Sequence, residues 1–224
     1  VSERRLTEHG QERKQQLLDV AAELFTRRGF ADTRIADICE AAGVAKGLFY
    51  WYFENKEALF TELIATVRLR MRQAQREAFD VEADALTQIA QGAAASLRFM
   101  AEHAAWYALL ELETRTPELA SVMRTGSDVH RADLLRLIRA GQDQGVIRSD
   151  DDAEMLVLAT QGVVVQFSHA HRGGRLAGRP VEEVARFVCR WVVAALAADD
   201  MAAGRALAAV GVPVPTAPMA PTTP

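Results

Sequence analysis

Much that would have narrowed the chemistry at once is scarce or missing in this chain. Two cysteines, Cys39 and Cys189, stand far apart. They form neither a metal motif nor a disulfide framework, so two reduced thiols in a cytoplasmic protein are expected. No uncharged apolar run approaches the ~18 residues a membrane span needs. The opening VSERRLTEHG lacks the apolar stretch of a secretory signal. No phosphate-cradling glycine loop, nucleophile elbow or pair of metal ligands is present, so no enzyme, no cofactor and no metal are expected. His169 and His171 diverge by ~200° on a helix and cannot chelate one ion together. Positive charge is not in excess either. The net charge is −4, and residues 1–56 hold equal numbers of basic and acidic side chains. Any affinity for nucleic acid must therefore come from a few placed groups, not bulk attraction.

What is present is helical periodicity almost throughout, with no credible alternating strand. Residues 13–30 carry a one-sided apolar stripe through Leu17, Leu18, Ala21, Ala22, Leu24 and Phe25, ending at Gly29. Thr33 reads as the cap of a second helix, in which Ile35, Ile38, Cys39 and Ala42 fall at i, i+3, i+4 and i+7 before Gly43. Cys39 is then a core residue, with a reactive thiol as the alternative. Asn55 opens a long third stretch.

Aromatics are sparse, at nine Phe, three Tyr and three Trp, yet Phe49, Tyr50, Trp51, Tyr52 and Phe53 follow one another. At ~100° per residue no single core can take all five. Phe49 and Phe53 can point inward. Lys46, Gly47, Tyr50 and Trp51 share another face, with Tyr52 and Lys56 at its edge. Two short helices around the glycine-containing turn AAGVAKG fit a helix-turn-helix. The outward aromatics then face either nucleic acid or a second core, and a ~50-residue unit has little to build a second core from.

The run TRIADICEAAGVAKGLFYWYFENKEALF, preceded by AAELFTRRGFADT, resembles the DNA-binding segment of the tetracycline-repressor (TetR) family. The resemblance covers about Leu17 to Phe60. It implies a homodimeric, cytoplasmic transcription regulator, usually a repressor, released from a palindromic double-stranded DNA operator by a small molecule. Transferred position by position, it puts Thr33 at a helix cap against a phosphate, with Arg34 beside it. Lys46, Gly47, Leu48 and Tyr50 would face the groove, Trp51, Tyr52 and Lys56 the DNA backbone, and Ala45 would stand at the cap beside a phosphate. Relatives often carry Ser or Thr where this chain has Ala45, so a capping hydroxyl is missing. An all-helical carrier or enzyme, or an activator on the same fold, are the competing readings.

Downstream, helices are expected over about 82–103, 106–113, 117–144 and 149–171, the last opened by Ser149 with Asp152 three residues on. A further helix runs over 181–198. Its stripe Val184, Phe187, Val188, Trp191 and Ala195, together with Gly162, is expected at a dimer interface. The alternative is a helix central in the monomer. Phe99, His103, Trp106, Tyr107, Leu110, Met123, Gln161 and Phe167 are the candidates for lining a ligand cavity, with plain core packing as the alternative. The expected organisation is all-α: a three-helix DNA-binding domain over 1–56, a larger helical ligand-binding and dimerisation domain over 57–198, and a flexible Ala/Pro-rich tail over 199–224.

Overall fold

A computed structural model of the chain describes residues 8–107, 117–176 and 178–213. Among the described residues there is no strand beyond one isolated antiparallel bridge, Ile147 with Ala197. The named helices are α1 (Glu8–Arg28), α2 (Ile35–Ala41), α3 (Lys46–Tyr52), α4 (Lys56–Ala78), α5 (Ala85–Glu102), α6 (Pro117–Asp143), α7 (Ala153–Gly173), α8 (Val181–Leu196) and α9 (Asp200–Ala209). Two compact units result: Val1–Arg70 with His103–Ser127, and Met71–Glu102 with Asp128–Pro224. The expected boundary at residue 56 therefore moves into the middle of α4, and a short stretch around Trp106 joins the first unit.

The first unit closes around aromatic rings. Phe25, Phe30 and Phe60 meet edge-on or tilted with centroids 5.0–5.6 Å apart, geometry that favours ring quadrupoles. Leu17, Ile38, Phe49, Phe53 and Leu59 complete the cluster. Gly29 ends α1 and Gly43 ends α2, both at positive φ, where a side chain would be strained. Asn55 Oδ1 accepts from the Ala58 backbone N–H at 2.7 Å, capping α4 as expected.

Small aliphatic side chains pack the second unit. Ala90, Ala94 and Leu97 of α5 lie in one cluster with Val184, Val188, Val192 and Val193 of α8 and Leu156 and Val157 of α7. The tail expected from residue 199 is corrected. Asp199 accepts from the Ala202 N–H and starts α9, whose Ala202, Ala206 and Leu207 are buried in that core. Alanine here supplies close-packed apolar surface with high helix propensity, not flexibility. Residues 214–224 lie outside the described residues. Ser149 is likewise corrected as a helix cap. Asp152 holds that position and accepts from the N–H groups of Glu154 and Met155, because a carboxylate one residue before the helix reaches both orphan donors.

Candidate nucleic-acid interface

The candidate surface begins with α3. Seven residues are too few for a stable isolated helix, so its place is fixed by what it buries. Phe49 and Phe53 face inward, and Val44 and Tyr52 pack partly against the same cluster. The other side is open: Ala45, Lys46, Gly47, Tyr50 and Trp51 are exposed, with Tyr50 at 56% and Trp51 at 51%. Leu48 is half-buried. Trp51 stands edge-on to Tyr52, centroids 4.6 Å apart, so a half-buried ring braces an exposed one. The five-aromatic run divides into two buried rings, one at the edge and two outside. Ala45 occupies the cap position of α3 and makes no side-chain capping bond.

One expected phosphate contact is corrected. Thr33 is fully buried, and its hydroxyl donates to the Gly29 carbonyl at 2.8 Å. The cap position of α2 belongs to Arg34, whose backbone N–H donates to Asp37 Oδ2 at 3.0 Å. The end of α1 leaves carbonyls without intrahelical partners, and Thr33 satisfies the one just past it. Lys56 is also committed. Its ammonium donates to the carbonyls of Phe30 (2.5 Å), Thr33 (2.8 Å) and Ala31 (3.4 Å) and lies 4.2 Å from the Phe30 ring centroid. Arg34 extends its side chain into solvent, 4.0 Å from Asp37.

Other ties escaped sequence reasoning. Gln16 Nε2 donates to the Ala42 carbonyl at 3.1 Å. Lys14 pairs with Glu62 and lies 5.6 Å from the Phe53 centroid. Each joins residues far apart in the chain, so no local pattern announces them. Cys39 is buried, and desolvation pushes its thiol up while the nearby Lys46 charge pulls the other way. The net direction keeps it protonated, which fits a core residue.

The second unit carries an outward apolar face. On α8, Val184 and Val188 are buried in their own unit, a correction to their place in the expected dimer stripe, whereas Phe187 and Trp191 are 44% and 50% exposed and Ala195 is half-buried. At ~100° per residue, positions 184, 188 and 192 sit on an arc adjoining that of 187, 191 and 194. The sequence stripe straddled both. On α7, Met155, Leu158, Gly162 and Val165 are exposed along one side. Phe167 and Phe187 join the two helices, centroids 5.2 Å apart.

Of the ligand-lining candidates, Phe99, Gln161 and Phe167 belong to the second unit, and His103, Trp106 and Tyr107 to the first. Phe99 is buried, and Gln161, His103 and Tyr107 are half-buried. Trp106 packs on Phe60, centroids 5.7 Å apart. Leu110 and the side chain of Met123 lie outside the described residues. At the end of α7, the His171 ring nitrogen meets the Arg179 carbonyl at 3.0 Å. No described helix is long and apolar enough to cross a membrane.

The sequence profile of bacterial regulatory proteins of the tetR family matches residues 17–63. These residues span the second half of α1, all of α2 and α3, and the start of α4. The HTH-type transcriptional regulator AcrR of Shigella flexneri is 42% identical over 60 residues, which is 27% of this chain and only 28% of that protein. A protein named "Probable acrEF/envCD operon repressor" in Escherichia coli strain K12 is 28% identical over 156 residues, covering 66% of this chain and 71% of its own. Among solved structures, the TetR family transcriptional regulator PfmR from Thermus thermophilus superposes with a TM-score of 0.64 at 24% identity, covering 80% of this chain and 97% of that one. A bacterial regulatory protein of the tetR family from Rhodococcus RHA1 gives 0.66 at 18%, covering 84% and 99%. At such identities these likenesses speak for the fold alone.

Proposed function

The chain belongs to the TetR family of bacterial regulators, and from that premise we propose that it binds duplex DNA as a homodimer and controls transcription, as a repressor that a small molecule releases. The observation that carries this reading is the face of α3. Lys46, Gly47, Tyr50 and Trp51 are exposed together on a short helix whose opposite side is locked into an aromatic core. An ammonium and a phenol hydroxyl can hydrogen-bond phosphate or base edges, ring edges can contact sugar and thymine methyls, and Gly47 lets the backbone come close. Arg34, exposed before α2, would add a phosphate contact.

Dimerisation is the second half of the proposal. Two apolar faces, Met155–Leu158–Gly162–Val165 on α7 and Phe187–Trp191 on α8, lie side by side on helices already joined through Phe167 and Phe187. A second copy offers the same face, as two-fold symmetric association requires. Two reading units bound together explain how a neutral segment gains affinity, since the second contact becomes intramolecular.

The test is binding to a fluorescent duplex from upstream of the protein's own gene, at two salt concentrations and against scrambled competitor. Binding that survives the competitor and weakens steeply with salt is expected. Tyr50→Ala is expected to lose at least about tenfold in affinity, the scale of one removed base or phosphate contact, with the melting temperature within a few degrees of wild type. A large fall in melting temperature would place Tyr50 in the core and contradict the reading face.

A further inference from the structure

Lys56 is the first residue of α4, yet all the partners of its ammonium lie in the turn between α1 and α2. Three N–H donors meet three carbonyls, those of Phe30, Ala31 and Thr33, so no donor is left over. The side-chain stem is half-buried, and the charge lies over the Phe30 ring at 4.2 Å from its centroid. That turn decides where α2 starts. Thr33, which gives one of the carbonyls, directly precedes the cap residue Arg34 and is itself tied to Gly29 by its hydroxyl. At the far end of α2, Gln16 holds the Ala42 carbonyl. Between these two anchors lies a helix of seven residues, followed within four residues by α3, and neither helix is long enough to hold itself.

We propose that Lys56 is a positioning residue for DNA reading: its ammonium pins the α1–α2 turn from the α4 side and thereby sets the seat of α2 and α3, while contributing no phosphate contact. The inference rests on the DNA-binding reading above. It separates two roles that one cation at the edge of a reading head can have. A phosphate contact depends on charge, and a guanidinium performs it as well as an ammonium does. A pin on three converging carbonyls depends on the compact geometry of an ammonium, which a planar fork does not reproduce.

The experiment uses the full chain and two variants, Lys56→Met, which keeps an unbranched stem on the Phe30 ring, and Lys56→Arg, which keeps the charge. The probe is a duplex enriched by the wild-type protein from a random-sequence pool, titrated over a series of salt concentrations. Amide hydrogen exchange is recorded on the same three proteins without DNA. Both variants are expected to lose about tenfold or more in affinity, the scale of one charge-assisted hydrogen bond. Their log–log salt slopes are expected to equal the wild type's, and exchange is expected to quicken over residues 31–41 while α1 and the C-terminal half of α4 stay protected. Wild-type affinity in Lys56→Arg, together with a slope shallower by about 0.9 in Lys56→Met, the signature of one lost phosphate contact, would overturn the proposal. So would exchange that quickens uniformly through the unit, which is a loss of stability and not of position. Failure of the wild type to enrich any duplex would count against DNA binding itself. The exchange pattern would still be read, and unchanged protection over 31–41 would then overturn the pin separately.

Discussion

The two units of this chain are held together by different means. In the first, α2 and α3 are only seven residues long, and individual polar ties do much of the fastening: Thr33 to Gly29 locally, and Gln16 to Ala42 and Lys56 to three carbonyls across longer stretches of chain. In the second, long helices pack through alanine, valine and leucine, as α5 does on α8. The helices α8, α5 and α7, of 16, 18 and 21 residues, present several turns of apolar surface and need few such ties. Seven-residue helices cannot, so their placement depends on individual hydrogen bonds. On the proposed function that kind of fastening has a use, since a small displacement of α3 would misplace every contact it made with DNA.

That contrast can be broken most severely in the second unit. Val188 is fully buried among α5, α7 and α8, so Val188→Asp is expected to cost roughly 4 kcal/mol or more through an unpaired buried charge. Loss of a cooperative thermal transition is the check. Trp191→Asp, one helical turn away on the exposed arc, should leave the helical fold intact and weaken self-association by about 100-fold. Analytical ultracentrifugation would settle that, and a variant still dimeric at wild-type concentrations would remove α8 from the interface.

A pH series sharpens the comparison next. Burial pushes the Cys189 thiol up from 9.0 to about 11, and its S–H donates to the Ala90 carbonyl at 3.4 Å. A folded-state value above the unfolded one means the folded protein holds the proton longer. The associated stability is present in full below about pH 9 and is lost as pH rises toward 11. Thermal melts at pH 8 and pH 11 should show a smaller decline for Cys189→Ala than for wild type. An equal decline would mean that the thiol does not couple to folding.

The smallest expected effect lies back in the first unit. Ala45 leaves the α3 cap position without a side-chain bond, so Ala45→Ser should add about 1 kcal/mol of stability. A melting temperature unchanged or lowered would indicate that the hydroxyl does not reach the orphan N–H groups.

Legibility in the sequence follows the same division. Local signals in the first unit were readable: Gly29 and Gly43 as helix stops, Asn55 as a cap, Phe49 and Phe53 as inward rings. What misled there was chemistry with two uses. A threonine before an apolar helix looks like a cap, but Thr33 turned its hydroxyl back to α1. A lysine at the edge of an aromatic run looks like a phosphate ligand, but Lys56 found carbonyls 23 to 26 positions away. In the second unit, helices were visible from periodicity while their inner and outer arcs were not. Val184 and Phe187 are both apolar and three residues apart, and only α5 packing on α8 decides that one is core and the other surface. Alanine-rich sequence after residue 199 read as tail because composition says nothing of the groove α9 fills on α5 and α8.

The central claim is that exposed α3 residues, paired by a two-fold dimer, read duplex DNA. It is tested most directly by selecting duplexes from a random-sequence pool with the purified chain and sequencing what is retained. The account predicts enrichment of an inverted repeat whose half-sites lie about one helical turn, ~34 Å, or a multiple of it apart, lost when Tyr50→Ala replaces wild type. Recovery of no enriched sequence, or of a lone half-site by a dimeric protein, would contradict it.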